Sequence, residues 1–284
     1  MYAQELSRRN PGCIIFLIDR SDSMKAAWVG SGMTLAQGAA LAINKILLEL
    51  GIKSTKEAGS AMRNYFYTGC YGYGLSTRTG GEGVESILPG DLATRGIVPL
   101  PELATAPIAI REQPSVDPMA SPSMAPVWVE PLHGHRTPMC EAFALVGAHV
   151  YEWAAAFTNS FPPIIINLTD GMVTDSPFQG ADLATWASRL QSVQTSDGPA
   201  LLLNIFLSPS KAPIVSYPAT AQGLPEPGPA LFAISSPLPQ PMINNARAAG
   251  ISVAEGARGF VFNADLATLV KFLEIGTRVT VRDV

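Results

Sequence analysis

The chain alternates short, uninterrupted apolar runs with longer segments whose apolar residues recur every three to four positions. Ile14-Ile15-Phe16-Leu17-Ile18 is the clearest run, preceded by Gly12 and stopped by Asp19. A run of that length, rich in Ile and Phe, reads as a strand covered on both faces. Residues 65–73, 164–168, 200–207 and 259–263 read as further strands. The helical period appears over 33–50, where Leu35, Ala39, Ile43, Ile46 and Leu50 form a stripe. Leu41, Leu47 and Leu48 lie off that stripe, which predicts a helix buried almost all round and ended by Gly51. Over 137–157 the stripe is Met139, Phe143, Val146, Val150, Trp153 and Phe157, with Thr137 as N-cap and Pro138 at the first helical position. Helices are also expected over 179–193, 242–250 and 266–275. Strands alternating with helices predict a Rossmann-like, doubly wound α/β fold, its mostly parallel central sheet covered by helices on both faces.

Two stretches break this alternation. Residues 75–136 are dense in Gly and Pro, with short apolar pieces at 96–100, 108–110 and 127–129. They read as a β-rich insertion attached at the sheet end that carries the acidic residues, with 113–126 as a mobile excursion. Residues 208–241 are Pro-rich and irregular, with one apolar piece at 231–234. The whole of 1–284 is read as one domain carrying these two stretches.

Bulk properties narrow the function classes. With 47% hydrophobic and 15% charged residues, the 284-residue chain has ample material for a core. A net charge of −4, with Lys and Arg scattered, argues against nucleic-acid binding. No run approaches the roughly 18 apolar residues of a membrane span, so no membrane partner is expected. Arg8 and Arg9 precede an apolar run too short for a secretion signal. Cys13, Cys70 and Cys140 are odd in number and widely spaced, which fits reduced core thiols in a cytoplasmic protein.

The candidate chemistry sits at two strand ends. Asp19, Ser21 and Ser23 follow the first run at alternate positions, and Thr169-Asp170-Gly171 closes the 164–168 run. Oxygen donors at the carboxyl ends of buried parallel strands lie where α/β sheets bind ligands, and hard donors suit a small divalent cation. Plainer readings exist for each. Ser21 and Ser23 could turn the loop, Thr137 could simply cap its helix, and Asp170-Gly171 could be an ordinary turn. His133, His135 and His149 read as surface or interface residues. Gly72-Tyr73-Gly74 does not continue into a dinucleotide fingerprint, because position 77 is Thr and no helix pattern follows. No G-x-S-x-G elbow, H-E-x-x-H motif or P-loop is present.

Asp19-x-Ser21-x-Ser23 after a buried strand, a later loop-to-helix Thr137 and the strand-end Asp170 together resemble the von Willebrand factor type A family and its metal-ion-dependent adhesion site. The resemblance covers nearly all of the chain outside 75–136 and 208–241. It implies a cation, Mg²⁺ or else Mn²⁺ or Ca²⁺, held by the hydroxyls of Ser21, Ser23 and Thr137 and by the carboxylates of Asp19 and Asp170. It further implies that the chain is not an enzyme but a module whose bound ion takes an acidic residue from a protein partner. Two departures stand out. Asp22 replaces the usual glycine between the serines, and Gly134-His135-Arg136 replaces the usual glycine pair before the threonine. Arg9-Asn10-Pro11-Gly12-Cys13, Asn159-Ser160-Phe161-Pro162-Pro163 and Gly256-Ala257-Arg258-Gly259-Phe260 are similar to segments of bacterial intracellular members built of one such domain. Those members are associated with tellurite-resistance and stress systems or with Ser/Thr kinases and phosphatases, which implies a scaffold in such a pathway. The rival reading is a Mg²⁺-dependent hydrolase or phosphatase acting through Asp19, and a third is a domain that has lost its site.

Overall fold

A computed structural model describes residues 1–57, 60–115, 121–248 and 250–277. In chain order, β1 (Gly12–Arg20) is followed by a 3₁₀ turn (Asp22–Lys25), the small hairpin β2 (Ala27–Trp28) and β3 (Met33–Thr34), and helix α1 (Leu35–Lys53). Next come β4 (Phe66–Leu75), β5 (Glu82–Ser86), β6 (Val98–Pro99), α2 (Leu100–Ala104), β7 (Ala109–Gln113) and β8 (Ser123–Val127). The second half runs α3 (Met139–Ala156), β9 (Ile164–Thr169), α4 (Leu183–Gln191), the pair β10 (Gln194–Thr195) and β11 (Gly198–Pro199), then β12 (Leu201–Phe206). It closes with β13 (Val215–Ser216), α5 (Gly228–Ile234), α6 (Gln240–Ala248), β14 (Phe260–Phe262) and α7 (Leu266–Thr277).

The central sheet has the order β13-β14-β12-β9-β1-β4-β5, with β6 also on β4. Strands β14, β12, β9, β1 and β4 run parallel, and only β13, β5 and β6 run against them. Strand β1 lies at the middle because its residues alternate between two apolar layers. Ile14, Phe16 and Ile18 pack with α1, α6 and α7, whereas Cys13, Ile15 and Leu17 pack with α3, α4 and α5. The fold is thus a mostly parallel α/β sheet with helices on both faces, as the alternation of patterns predicts.

Several local expectations need correction. Helix α1 begins at Leu35 because Thr34 and Gln37 form a reciprocal capping box, and it runs through Gly51 to Lys53. Its length and hydropathy would allow a membrane span, contrary to the expectation that no segment approaches one, but 72% of that window is buried here. The helix expected from 179 starts at Leu183, where the Asp182 carboxylate accepts from the Thr185 N–H; Phe178 and Ala181 form a turn before it. The apolar piece at 231–234 belongs to α5. The 75–136 stretch contributes β5 and β6 to the sheet, the helix α2 and the β7–β8 hairpin. The ends of the expected excursion at 113–126 are therefore paired strand, and 116–120 lie outside the described residues. Asn44 of α1 anchors the end of that stretch: its Oδ1 accepts from the N–H groups of Trp128 and Val129, and its Nδ2 donates to Val129 O.

Candidate metal centre

Strands β1 and β9 are neighbours in parallel register, with Ile18 beside Leu168, so their carboxyl ends emerge together. Asp19 and Asp170 meet there for that reason. Asp19 is fully buried, and both of its oxygens accept hydrogen bonds: Oδ1 from the Ser21 N–H at 2.8 Å and Oδ2 from the Thr169 hydroxyl at 2.7 Å. Thr169 Oγ1 in turn accepts from the Gly171 N–H at 2.9 Å, which bends the chain so that Asp170 turns toward Asp19. The Ser21 and Ser23 hydroxyls lie 2.9 Å apart. Gly74, at φ +118°, lets β4 pass against this loop, since a Cβ there would sit 2.5–2.7 Å from Arg20 C and O and Ser21 N.

The third segment arrives through backbone contacts. The Asp22 N–H donates to His135 O at 3.0 Å, and the Gly134 N–H donates to Arg20 O at 2.8 Å. Thr137, buried, donates its N–H to Thr174 Oγ1 at 2.9 Å and accepts from the Thr174 N–H at 3.2 Å. The Thr137 segment is thereby tied both to the loop after β1 and to the loop after β9. The expectation that Thr137 caps α3 is corrected. Pro138 takes the cap position with no side-chain bond, and Met139 opens the helix. The cap comes from Asp175, whose carboxylate accepts from the N–H groups of Cys140 at 3.0 Å and Glu141 at 2.8 Å. The Thr137 hydroxyl is therefore not committed to the helix.

The electrostatics of the cluster are those of charges lacking a counter-ion. Burial pushes the Asp19 carboxyl up to about 7, and the neighbouring Asp170 charge adds to this against hydrogen bonds from Ser21 and Thr169. Burial also raises Asp170, with the Ser23 hydroxyl partly offsetting it. Asp170 Oδ1 is buried with no hydrogen-bond partner among the described residues. A buried acceptor left unpaired is costly, and a divalent cation would satisfy it while relieving the repulsion between the carboxylates. The donor set of two carboxylates and neutral hydroxyls suits Mg²⁺, which uses few carboxylates and retains water. The residues present fit the ion. Among the described residues no three His, Cys, Asp or Glu side chains gather as a metal cluster; two acids with hydroxyls form a different kind of set.

The rim is charge-balanced. Asp22 pairs with Lys25 at 2.6 Å, and Arg136 makes a two-pronged pair with Glu82 at 2.9 and 3.1 Å. His133 and His135 are exposed, while His149 stacks on Tyr71. Cys13, Cys70 and Cys140 are buried and unpaired; burial pushes all three thiols up, Cys70 and Cys140 to about 12. Thr169, Thr174 and Asp175 are supporting residues that sequence reasoning did not assign. The Thr next to Asp170 was the only local signal for any of them.

No protein-family model matches the chain, and no curated protein matches it. Among solved structures, the crystal structure of the pilus adhesin SpaC from Lactobacillus rhamnosus GG aligns with a TM-score of 0.43 and 12% identity. The alignment covers 97% of this chain and 32% of that one, so the chain spans about a third of the adhesin's length. A likeness of that strength carries no argument about family or function.

Proposed function

We propose that the chain is a divalent-cation-dependent protein-interaction module of the von Willebrand factor A type. In this reading Ser21, Ser23 and Thr137, with Asp19 and Asp170, hold Mg²⁺, Mn²⁺ or Ca²⁺. An ion held there would supply a Lewis-acidic centre able to take a partner's carboxylate. The chain's own residues do the rest: Asp19, fixed by Ser21 and Thr169, sets the depth of the site, and Asp170 supplies the second charge. The single observation that supports the reading most is the buried, unpartnered Asp170 oxygen beside Asp19 and the paired Ser21 and Ser23 hydroxyls. The non-enzymatic reading is favoured over a hydrolase because Asp19 is fully buried with both oxygens already accepting hydrogen bonds, a poor state for a nucleophile. A cytoplasmic setting and a role as scaffold in a bacterial stress or Ser/Thr-phosphorylation system belong to the same proposal, the latter by analogy alone.

Titration calorimetry of the chelator-stripped chain with Mg²⁺ and Mn²⁺ tests this. Saturable binding of one ion, lost in Asp19→Ala and Ser21→Ala while both variants remain folded by circular dichroism, is expected. Absence of binding up to several tens of millimolar, or binding unchanged in both variants, would refute it. Mg²⁺-dependent turnover of a phosphoester panel, abolished by Asp19→Asn, would instead favour the hydrolase.

A further inference from the structure

The central sheet ends differently at its two sides. On one side β13 is only two residues long and closes off β14. On the other, β5 offers five residues in unbroken register with β4, and no described strand pairs with its outer edge. The phase of the ladder says which main-chain groups are free. The Ile87 N–H donates to Cys70 O and the Ser76 N–H to Gly81 O, so residues 81, 83, 85 and 87 turn their N–H and C=O groups toward β4. Glu82, Val84 and Ser86 therefore turn theirs outward, and none of these main-chain groups has a hydrogen-bond partner among the described residues.

Edge strands are ordinarily guarded by charge, proline, a bulge or extreme shortness. The two acids of β5 are already engaged. Glu82 binds Arg136, and Glu85 accepts from the Ser76 and Thr77 hydroxyls at 2.7 and 2.8 Å. The strand holds no Lys or Pro, and its register shows no bulge. A cavity of about 540 Å³ runs beside it. The cavity touches Val84, Glu85, Ser86, Ile87 and Leu88 in succession, although neighbouring residues of a strand face opposite sides of the sheet. It therefore lies along the edge of the strand rather than over one face. Val84 packs with the apolar layer of α3, and Ile87 and Leu88 with that of α1, so the slot has an apolar lip on each side. Ala93 and Thr94 of the 3₁₀ turn at Gly90–Arg95, with Ile108 and Leu132, complete its walls. Outward N–H and C=O groups on alternate residues, about 7 Å apart, are matched by another extended backbone. Arg78, exposed at the same cavity, has no ion-pair partner among the described residues and favours an acid on the incoming chain.

We infer that β5 is a docking edge for an extended segment of a partner protein. The segment adds a ninth strand to the eight-stranded sheet, with apolar side chains toward both lips and an acidic residue toward Arg78. The assignment is independent of a cation at the β1 tip. The probe is the blocked peptide acetyl-Asp-Val-Val-Val-Asp-amide, titrated into the full chain in EDTA and followed by amide exchange in NMR. Saturable binding is expected to slow exchange at Val84 and Ser86 at least about tenfold, while Glu85 and Ile87, already bonded to β4, change little. The same peptide N-methylated at all three valines lacks those donors and should bind at least about tenfold more weakly. Val84→Pro removes an outward N–H and leaves the β4 ladder intact, a change that edge strands tolerate; it should abolish binding with the circular dichroism unchanged. If Val84→Pro does not fold, the N-methylated peptide decides alone. No saturable binding up to several millimolar, equal binding of the N-methylated peptide, unchanged exchange at Val84 and Ser86, or binding that survives in folded Val84→Pro would overturn the assignment. Protection of Val84 and Ser86 that rises with protein concentration in the absence of peptide would also overturn it, in favour of a second copy of the chain.

Discussion

Removing divalent metal should make the protein less stable as pH rises, with Asp19 as the main cause. The perturbation is chelation, followed by denaturation at a series of pH values. A carboxyl whose folded-state pKa lies above its unfolded value binds its proton more tightly when folded. Its contribution is then fully present below the unfolded pKa and lost as pH rises through the folded one. For Asp19 the window runs from 3.8 to about 7. At about 1.36 kcal/mol per pKa unit, that displacement corresponds to roughly 4 kcal/mol lost by pH 8. The figure is a ceiling, because the Asp170 charge responsible for part of it is itself raised by burial. Urea denaturation of the chelated protein between pH 4 and 8 should show this fall. Asp19→Asn, which cannot ionise, should lack most of it and should be the more stable form at pH 8. Saturating Mg²⁺ should reverse the slope in the wild-type chain, since binding favours the ionised carboxylates, and should add roughly 2.7 kcal/mol at a hundredfold excess over Kd. A chelated wild type whose profile parallels that of Asp19→Asn would refute the reasoning.

Four further substitutions probe the supports of the site and the core. Asp175→Ala removes the carboxylate that caps α3 at Cys140 and Glu141, and should cost about 1–2 kcal/mol in urea denaturation; it should also weaken Mg²⁺ binding, because Thr137 immediately precedes that cap. Gly38→Ala would drive a Cβ to within 2.0 Å of the Trp28 ring and should cost about 1–3 kcal/mol. Gly147→Ala in α3 meets only Leu190 Cδ1 at 3.7 Å and should gain about 0.5–1 kcal/mol, so equal effects from the two glycines would contradict the packing described. Asn44→Ala strips the partner from two buried N–H groups and should cost roughly 2–4 kcal/mol, read as a shift in urea midpoint.

The central strands were legible because burial on both faces writes them as unbroken apolar runs, as in β1, β9 and β12. The edge was not. Strand β5 is Glu-Gly-Val-Glu-Ser, which has no apolar run, and it is a strand because β4 offers it a partner. Helix α5 hides behind a Gly-Pro start inside a Pro-rich stretch, and its helical form follows from packing Leu231, Phe232 and Ile234 on the sheet. The candidate site divides in the same way. Asp19, Ser21, Ser23 and Asp170 could be singled out because each follows a recognisable strand, and those strands prove adjacent. The start of α3 could not, since its cap arrives from Asp175, 35 residues from Cys140, and no local spacing encodes a cap of that kind. The buried chain from Tyr73 through Asn167 and Asn204 to Ser235 was equally invisible, as it depends on the β4, β9 and β12 side chains sharing one face.

The most direct test of the cation site is a crystal structure of the chain grown with Mn²⁺, with anomalous data collected at the manganese edge. The account predicts one strong peak at the β1–β9 tip, about 2.1–2.3 Å from the Ser21, Ser23 and Thr137 hydroxyls, with Asp19 and Asp170 as direct or water-bridged partners. No peak among these five side chains, or a Thr137 hydroxyl more than about 4 Å from the ion, would contradict it.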